Sequence, residues 1–163
     1  ICMLIKFQSK DPIFFISDRI GEDKKVFKMI KFRTMKTNTP QINSNDLINP
    51  EKYITSFGKL LREYSLDEIP QILNVIKGDM SIVGPRPALF NQYELIKMRD
   101  KYNINLLKPG ITGLAQINGR DNVSNIQKVK FDKEYLLRSS ILLDIKIIFK
   151  TVKVLFKDNS IKH

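Results

Sequence analysis

No stretch restricts the backbone of this chain more than S-L-D-E-I-P-Q-I-L-N-V-I-K-G-D-M-S-I-V-G-P-R-P, from Ser65 to Pro87. Ile69, Ile72, Leu73 and Ile76 recur at helical spacing, but Pro70 has no N–H to donate and crowds the carbonyl four residues before it. Two registers are open. Ser65 and Glu68 match the capping-box pattern, which makes Glu68 a cap and Asp67 a first-turn residue favoured by the helix dipole, yet puts Pro70 at the fifth helical position. A helix that starts at Leu66 or Asp67 keeps Pro70 in the first turn, where proline is tolerated. Asp67 then lies beside unpaired backbone N–H groups, which are expected to keep its carboxylate ionised and aimed at an anion-binding mouth. Gly78 suits the position just past the helix end. Beyond it, Pro85 has a fixed φ and Pro87 biases Arg86 away from helical angles, so Arg86 is expected on a stiff, extended support.

The flanking segments read as an α+β domain, mainly helical, around a small hairpin-bearing sheet. P-I-F-F-I, the turn chemistry of R-I-G-E-D-K-K, and V-F-K-M-I-K-F-R-T-M predict a β-hairpin. On its extended second arm Lys31 and Arg33 share one side and Ile30 and Phe32 the other, a basic ledge over an apolar floor. Residues 36–52 are polar and punctuated by proline, as in a loop. Phe57, Leu60, Leu61 and Tyr64 mark a helix that meets the next one near Asp67. The segment from Leu107 to Arg120 has turn signals at both ends and a β-like centre. Ile141, Ile145, Ile148, Phe149, Val152, Leu155 and Phe156 line one face of a C-terminal helix, with Asp144, Lys146, Lys150, Lys153 and Lys157 largely elsewhere. Packing of that face on the core is the leading expectation and contact with a membrane surface the alternative. Residues 1–163 are read as a single domain.

Composition narrows the chemistry. The 28 basic and 17 acidic side chains give a net charge of +11, which favours polyanions: nucleic acid, anionic lipid or phosphorylated substrates. Cys2 is the only cysteine, so no intrachain disulfide can form and a reducing, cytosol-facing setting is expected. The one histidine, His163, excludes Ser-His-Asp, Cys-His and multi-histidine metal arrangements within this sequence. Carboxylates, lysines and tyrosines are left to do acid-base or nucleophilic work. No apolar run reaches the roughly 18 residues that cross a bilayer. Helical neighbours diverge by about 100°, so Asp67 and Glu68 do not suit the opposed acid and base of a glycosidase. A division of labour suits them better: one carboxylate attacks phosphorus while the other holds a divalent cation, Mg²⁺ in the first place, that offsets the repulsion between anions. Arg62 and Arg86 are placed to add positive charge, and the planar fork of Arg86 can grip a phosphate with two hydrogen bonds.

P-I-F-F-I-S-D-R-I-G, K-F-R-T-M, the Ser65–Pro87 stretch, K-P-G-I-T-G-L-A-Q-I-N-G-R and S-I-L-L-D-I-K together resemble the bacterial sugar transferases, the monotopic, membrane-associated phosphoglycosyl transferases. The resemblance covers nearly the whole chain in order. It implies transfer of a sugar 1-phosphate from a UDP-sugar to polyprenol phosphate, with release of UMP, at the cytoplasmic face of a bacterial inner membrane. It also implies that Asp67 forms a covalent phosphosugar enzyme, that Glu68 lies near Mg²⁺, and that Lys31, Arg62, Arg86 and Asp144 serve the substrates. Arg33 and Arg120 complete the set expected to contact them. The family carries a re-entrant membrane helix before the hairpin, of which Ile1–Ile5 is the expected tail. Leu114 replaces a frequent tryptophan, and Y-N-I-N-L-L-K-P-G replaces an R-H-x-V-x-P-G pattern, changes that bear on sugar choice and interface contacts. Two other readings stand beside this one. A catalytically weak relative would keep the motifs, and a basic nucleic-acid-binding module would explain the charge but groups its best arginines around acids and shows no binding motif. No nucleic-acid partner is therefore expected.

Overall fold

The expected hairpin forms. Strand β1 (Phe14–Ile20) pairs antiparallel with β2 (Val26–Phe32), which sets Phe15 opposite Lys31 and Ile16 opposite Ile30. The structure, a computed structural model, describes residues 1–8, 11–40, 48–119 and 123–157. Both faces of β2 are covered. Phe27 and Met29 bury against Met80, while Phe32, on the other face, packs with Ile5 of α1 (Cys2–Gln8) and Leu61 of α2 (Ser56–Glu63). Thr55 caps α2 by accepting a hydrogen bond from Gly58 N at 2.9 Å. Of the loop expected over 36–52, residues 41–47 lie outside the described residues; nearby, Met35 bridges to Ile54 and Pro50–Lys52 form a 3₁₀ turn.

The capping box at Ser65 does not form. Ser65 is left-handed at φ 52°, its side chain caps nothing, and its carbonyl accepts from Glu68 N at 3.2 Å. The chain leaves α2 through this sharp turn, and with Pro70 unable to donate, residues Leu66–Gln71 wind as a 3₁₀ helix before α3 (Ile72–Ile76) takes over. Helical periodicity is present as expected, but the segment is inside out. Asp67, Gln71 and Asn74 are buried, whereas Ile69, Ile72, Leu73 and Ile76 are 44–76% exposed. Gly78 ends α3 at φ 83°, with its N–H on the Val75 carbonyl at 3.0 Å and that of Asp79 on Asn74 at 2.9 Å.

The rest of the chain backs this region. Strand β3 (Ser81–Val83), leaving Gly78 in the expected extended form, runs parallel to β4 (Gly110–Thr112). The β-like centre expected between Leu107 and Arg120 is confined to β4, because L-A-Q-I turns into a short helix, α5 (Leu114–Ile117). Helices α4 (Tyr93–Asp100) and α6 (Asn125–Arg138) enclose a core of Ala88, Leu95, Ile104 and Val129. The long α7 (Ile141–Lys157) buries Ile147 against Val83 and Tyr135, with Leu143 beside them. Thr151 of α7 bonds Thr112 of β4 at 2.7 Å. The packing expectation for α7 is thus corrected: Ile141, Ile145, Ile148, Phe149 and Val152 are exposed, and the helix docks by a neighbouring, partly polar stripe. With Met3, Leu4 and Phe7 of α1 also exposed, much apolar surface is left uncovered.

A Cβ at Gly78 would meet only Lys108 Nζ, at 4.0 Å, so Gly78→Ala tests backbone conformation without a clash. It should cost roughly 1–2 kcal/mol, the penalty for a left-handed non-glycine residue, read as a lower urea midpoint with an unchanged slope.

Candidate active site

One asparagine fixes the 3₁₀–α3 segment against the hairpin. The Asn74 side chain accepts from Ile30 N at 3.1 Å and donates to Lys28 O at 2.8 Å and to Asp79 Oδ2 at 3.2 Å. It pairs with β2 much as another strand would, which explains why a buried amide is tolerated here. The result lays Asp67 and Glu68 over Lys31.

The two carboxylates then take different surroundings. Glu68 Oε1 accepts from Lys31 Nζ at 2.7 Å and from Arg86 Nη2 at 3.0 Å. Burial alone raises its pKa, but the charges of Arg86 and Lys31 and their hydrogen bonds together outweigh that and hold the carboxyl well below the usual range. Asp67 Oδ2 lies 3.9 Å from the same lysine. Burial is its largest influence and raises its pKa; Lys31, Arg62 and Arg86 pull it down without cancelling the rise, and Glu68 adds to it. Burial and the charge of Glu68 thus work against the ionised form that helix-end donors are expected to favour at Asp67, and they outweigh the nearby cations. A 3₁₀ winding separates the two neighbours by about 120°. Asp67 lines a cavity of about 410 Å³, whereas Glu68 does not.

That cavity is basic. Lys31, Arg33, Arg62, Arg86, Arg99 and Lys128 contribute to its wall, together with Phe15, Phe90 and Gln116. Arg33 is held by the carbonyls of Pro12 at 2.9 Å and Phe14 at 3.1 Å, with its guanidinium over the Phe15 ring. Asp144 does not line the cavity. It accepts from the Tyr135 hydroxyl at 2.9 Å, and burial first, then Asp144 itself, raises that phenol so that it remains the donor. The same hydroxyl lies 3.4 Å from the Val83 carbonyl, just before the Gly84-Pro85-Arg86 turn. Arg120 falls outside the described residues. Among the described residues no group of three or more His, Cys, Asp or Glu side chains could hold a metal by itself. Mg²⁺ needs only one or two protein carboxylates when phosphates and water supply its other oxygens, and the adjacent Asp67 and Glu68 fit that donor type.

Comparison with known proteins decides the family. The model of the bacterial sugar transferases matches residues 1–158. The chain belongs to that family. It is 40% identical over 164 residues to the exopolysaccharide production protein ExoY of Sinorhizobium fredii, covering 91% of this chain and 72% of that protein. It is 40% identical over 159 residues to the UDP-glucose:undecaprenyl-phosphate glucose-1-phosphate transferase of Escherichia coli, with 93% of this chain and 34% of the relative covered. With the undecaprenyl-phosphate galactose phosphotransferase of Salmonella typhimurium, identity is 36% over 161 residues, covering 90% and 34%.

In this sugar transferase, two residues that sequence reasoning missed sit directly behind Arg86. Arg99 donates from Nη1 to the Arg86 carbonyl at 3.0 Å, and from Nη2 and Nε to Asp132 Oδ2 at 2.7 and 2.9 Å. The pair is buried, with side chains only 6% and 2% exposed. Nothing local marks it, because its members are 33 residues apart on α4 and α6. Removing one charge from such a pair strands the other, so Asp132→Ala should destabilise the fold by about 3–5 kcal/mol in urea unfolding.

Proposed function

We propose that this protein transfers a sugar 1-phosphate from a UDP-sugar to a membrane polyprenol phosphate, with Asp67 as the nucleophile. The observation that carries this reading is the split surroundings of the dyad: Asp67 opens onto a basic cavity while Glu68 stays behind it, tied to Lys31 and Arg86. The names of the Escherichia coli and Salmonella relatives, a glucose-1-phosphate transferase and a galactose phosphotransferase acting with undecaprenyl phosphate, support the substrate classes.

The chemistry has two displacements. An Asp67 oxygen attacks the phosphorus that bears the sugar, the bond from that phosphorus to the bridging oxygen breaks, and UMP leaves with the electron pair. An oxygen of the polyprenol phosphate then attacks the same phosphorus, and the bond to Asp67 breaks to regenerate the carboxylate. The product is a polyprenyl diphosphosugar, the starting unit of lipid-linked glycan assembly. Arg86, Lys31 and Arg62 offset the negative charge that gathers around phosphorus. Glu68, with the donor phosphates, would hold Mg²⁺, which would supply further positive charge there while Asp67 attacks. Lys31 also keeps the dyad in register, since it reaches both carboxylates.

The inside-out helix supports a lipid surface as the setting of this chemistry. Asp67, Gln71 and Asn74 face the protein while Ile69, Ile72, Leu73 and Ile76 face outward, the arrangement expected when the outer medium is hydrocarbon rather than water. No helix among the described residues is long and apolar enough to cross a membrane. In this reading the apolar faces would lie in the membrane interface, and the family resemblance puts that interface on the cytoplasmic side of a bacterial inner membrane.

Two measurements test the reading. With Mg²⁺ and a panel of UDP-sugars, the protein should release UMP and show by intact mass a phosphosugar adduct, both abolished in Asp67→Asn; release that survives the substitution would remove Asp67 from the role. Sedimentation with anionic vesicles should capture the protein, and Ile72→Glu with Leu73→Glu should cut capture about tenfold or more while leaving the free energy of urea unfolding within about 1 kcal/mol.

A further inference from the structure

Gln116 stands in the cavity wall with nothing to bond. Strand β4 delivers it: Gly113 follows the strand and α5 begins at once. A Cβ at Gly113 would overlap the Gly84 carbonyl oxygen and come within 3.0 Å of Gln116 Oε1. The missing side chain thus lets α5 close onto the Gly84-Pro85-Arg86 turn, bringing the Gln116 carboxamide beside the support of Arg86. Gln116 lines the same cavity as Asp67 and Arg86. Both Nε2 and Oε1 are buried and have no hydrogen-bond partner among the described residues. Gln71 Nε2 is likewise unpartnered, but Gln71 does not line the cavity. A buried amide left unmatched bears its full desolvation cost, and native structures rarely carry one without a use.

We propose that Gln116 determines donor specificity: its carboxamide turns into the cavity about its own side-chain torsions and pairs with a part of the nucleotide sugar that offers both a hydrogen-bond donor and an acceptor. This rests on the nucleotide-sugar reading given above. Phosphate is a poor match, because its oxygens only accept and would leave Oε1 unpaired. The cavity wall already supplies Lys31, Arg62 and Arg86 for phosphate. An amide-bearing nucleobase edge, or a hydroxyl or acylamino group on the sugar, satisfies both ends of the carboxamide at once. The residue is Gln in the G-I-T-G-L-A-Q motif, for which the phosphoryl-transfer steps provide no other task.

The test is donor binding in Gln116→Leu, of similar size but apolar, measured by calorimetry in an Asp67→Asn background so that turnover does not interfere. Affinity for the preferred UDP-sugar should fall roughly 10- to 100-fold, while the melting temperature stays level or rises because an unmatched polar group has been removed. Gln116→Glu, which keeps acceptors and loses the donor, should bind at least as weakly. Across a panel in which either base or sugar is varied, the Leu variant should lose preference among bases if the contact is to the base, and among sugars if it is to the sugar. Equal loss for every donor, unchanged preference, or a melting temperature lowered by several degrees would overturn the proposal. Wild-type binding without UMP release would instead sink the transfer chemistry and leave the Gln116 comparison standing; absence of any nucleotide-sugar binding would sink both.

Discussion

A half-buried glutamate caught between a lysine and an arginine organises this molecule. Glu68 could not remain ionised away from water without Lys31 and Arg86, and each of those cations comes from a different part of the chain: the hairpin, and the turn after β3. Such a cluster is weak evidence for stability, because desolvation consumes much of the Coulombic gain. It is strong evidence for location, because a misplaced partner leaves a charge stranded. The Asn74 clamp, the Tyr135–Asp144 pair and the Arg99–Asp132 pair each secure a segment that carries one member of the cluster or the backbone leading to it.

Polar residues that would ordinarily face water are inside, and isoleucines that would ordinarily be inside are out. Three of the inward polar groups have a specific reason. Asn74 is saturated by strand-edge backbone, Asp132 by Arg99, and Asp67 stands in the field of Lys31. The outward apolar residues have no such compensation in water, where a fully exposed large aliphatic side chain forgoes about 1.5–3 kcal/mol of burial. They occur on α1, on the 3₁₀–α3 segment and on α7, which are far apart in sequence.

Much of this was legible beforehand, and the failures have a common cause. The hairpin followed from β-branched and aromatic runs around turn residues, and the end of α3 from Gly78. Periodicity also located the apolar stripes of α3 and α7. It gave the spacing of those residues but not the medium they face, so the direction of burial was misread in α7. The Ser65 capping box failed because a left-handed turn, set by how α2 meets the 3₁₀ segment, is a tertiary outcome. Arg99 and Asp132 were invisible because an ion pair across 33 residues leaves no local pattern. Gln116 was within reach of sequence reasoning only as part of a motif, since lack of a partner is a property of the folded cavity.

The Arg99 hydrogen bond to the Arg86 carbonyl also sets an order of events during synthesis. Lys31, Asp67, Glu68 and Arg86 have all left the ribosome well before Asp132, yet the brace on Arg86 is complete only when α6 arrives to neutralise Arg99. A nascent chain ending in α4 would present the dyad with an arginine whose mounting is still loose. Long-range closure of this kind is slow compared with local helix and hairpin formation. Asp67 is therefore translated before Asp132, yet the brace behind its neighbour Arg86 is completed only afterwards.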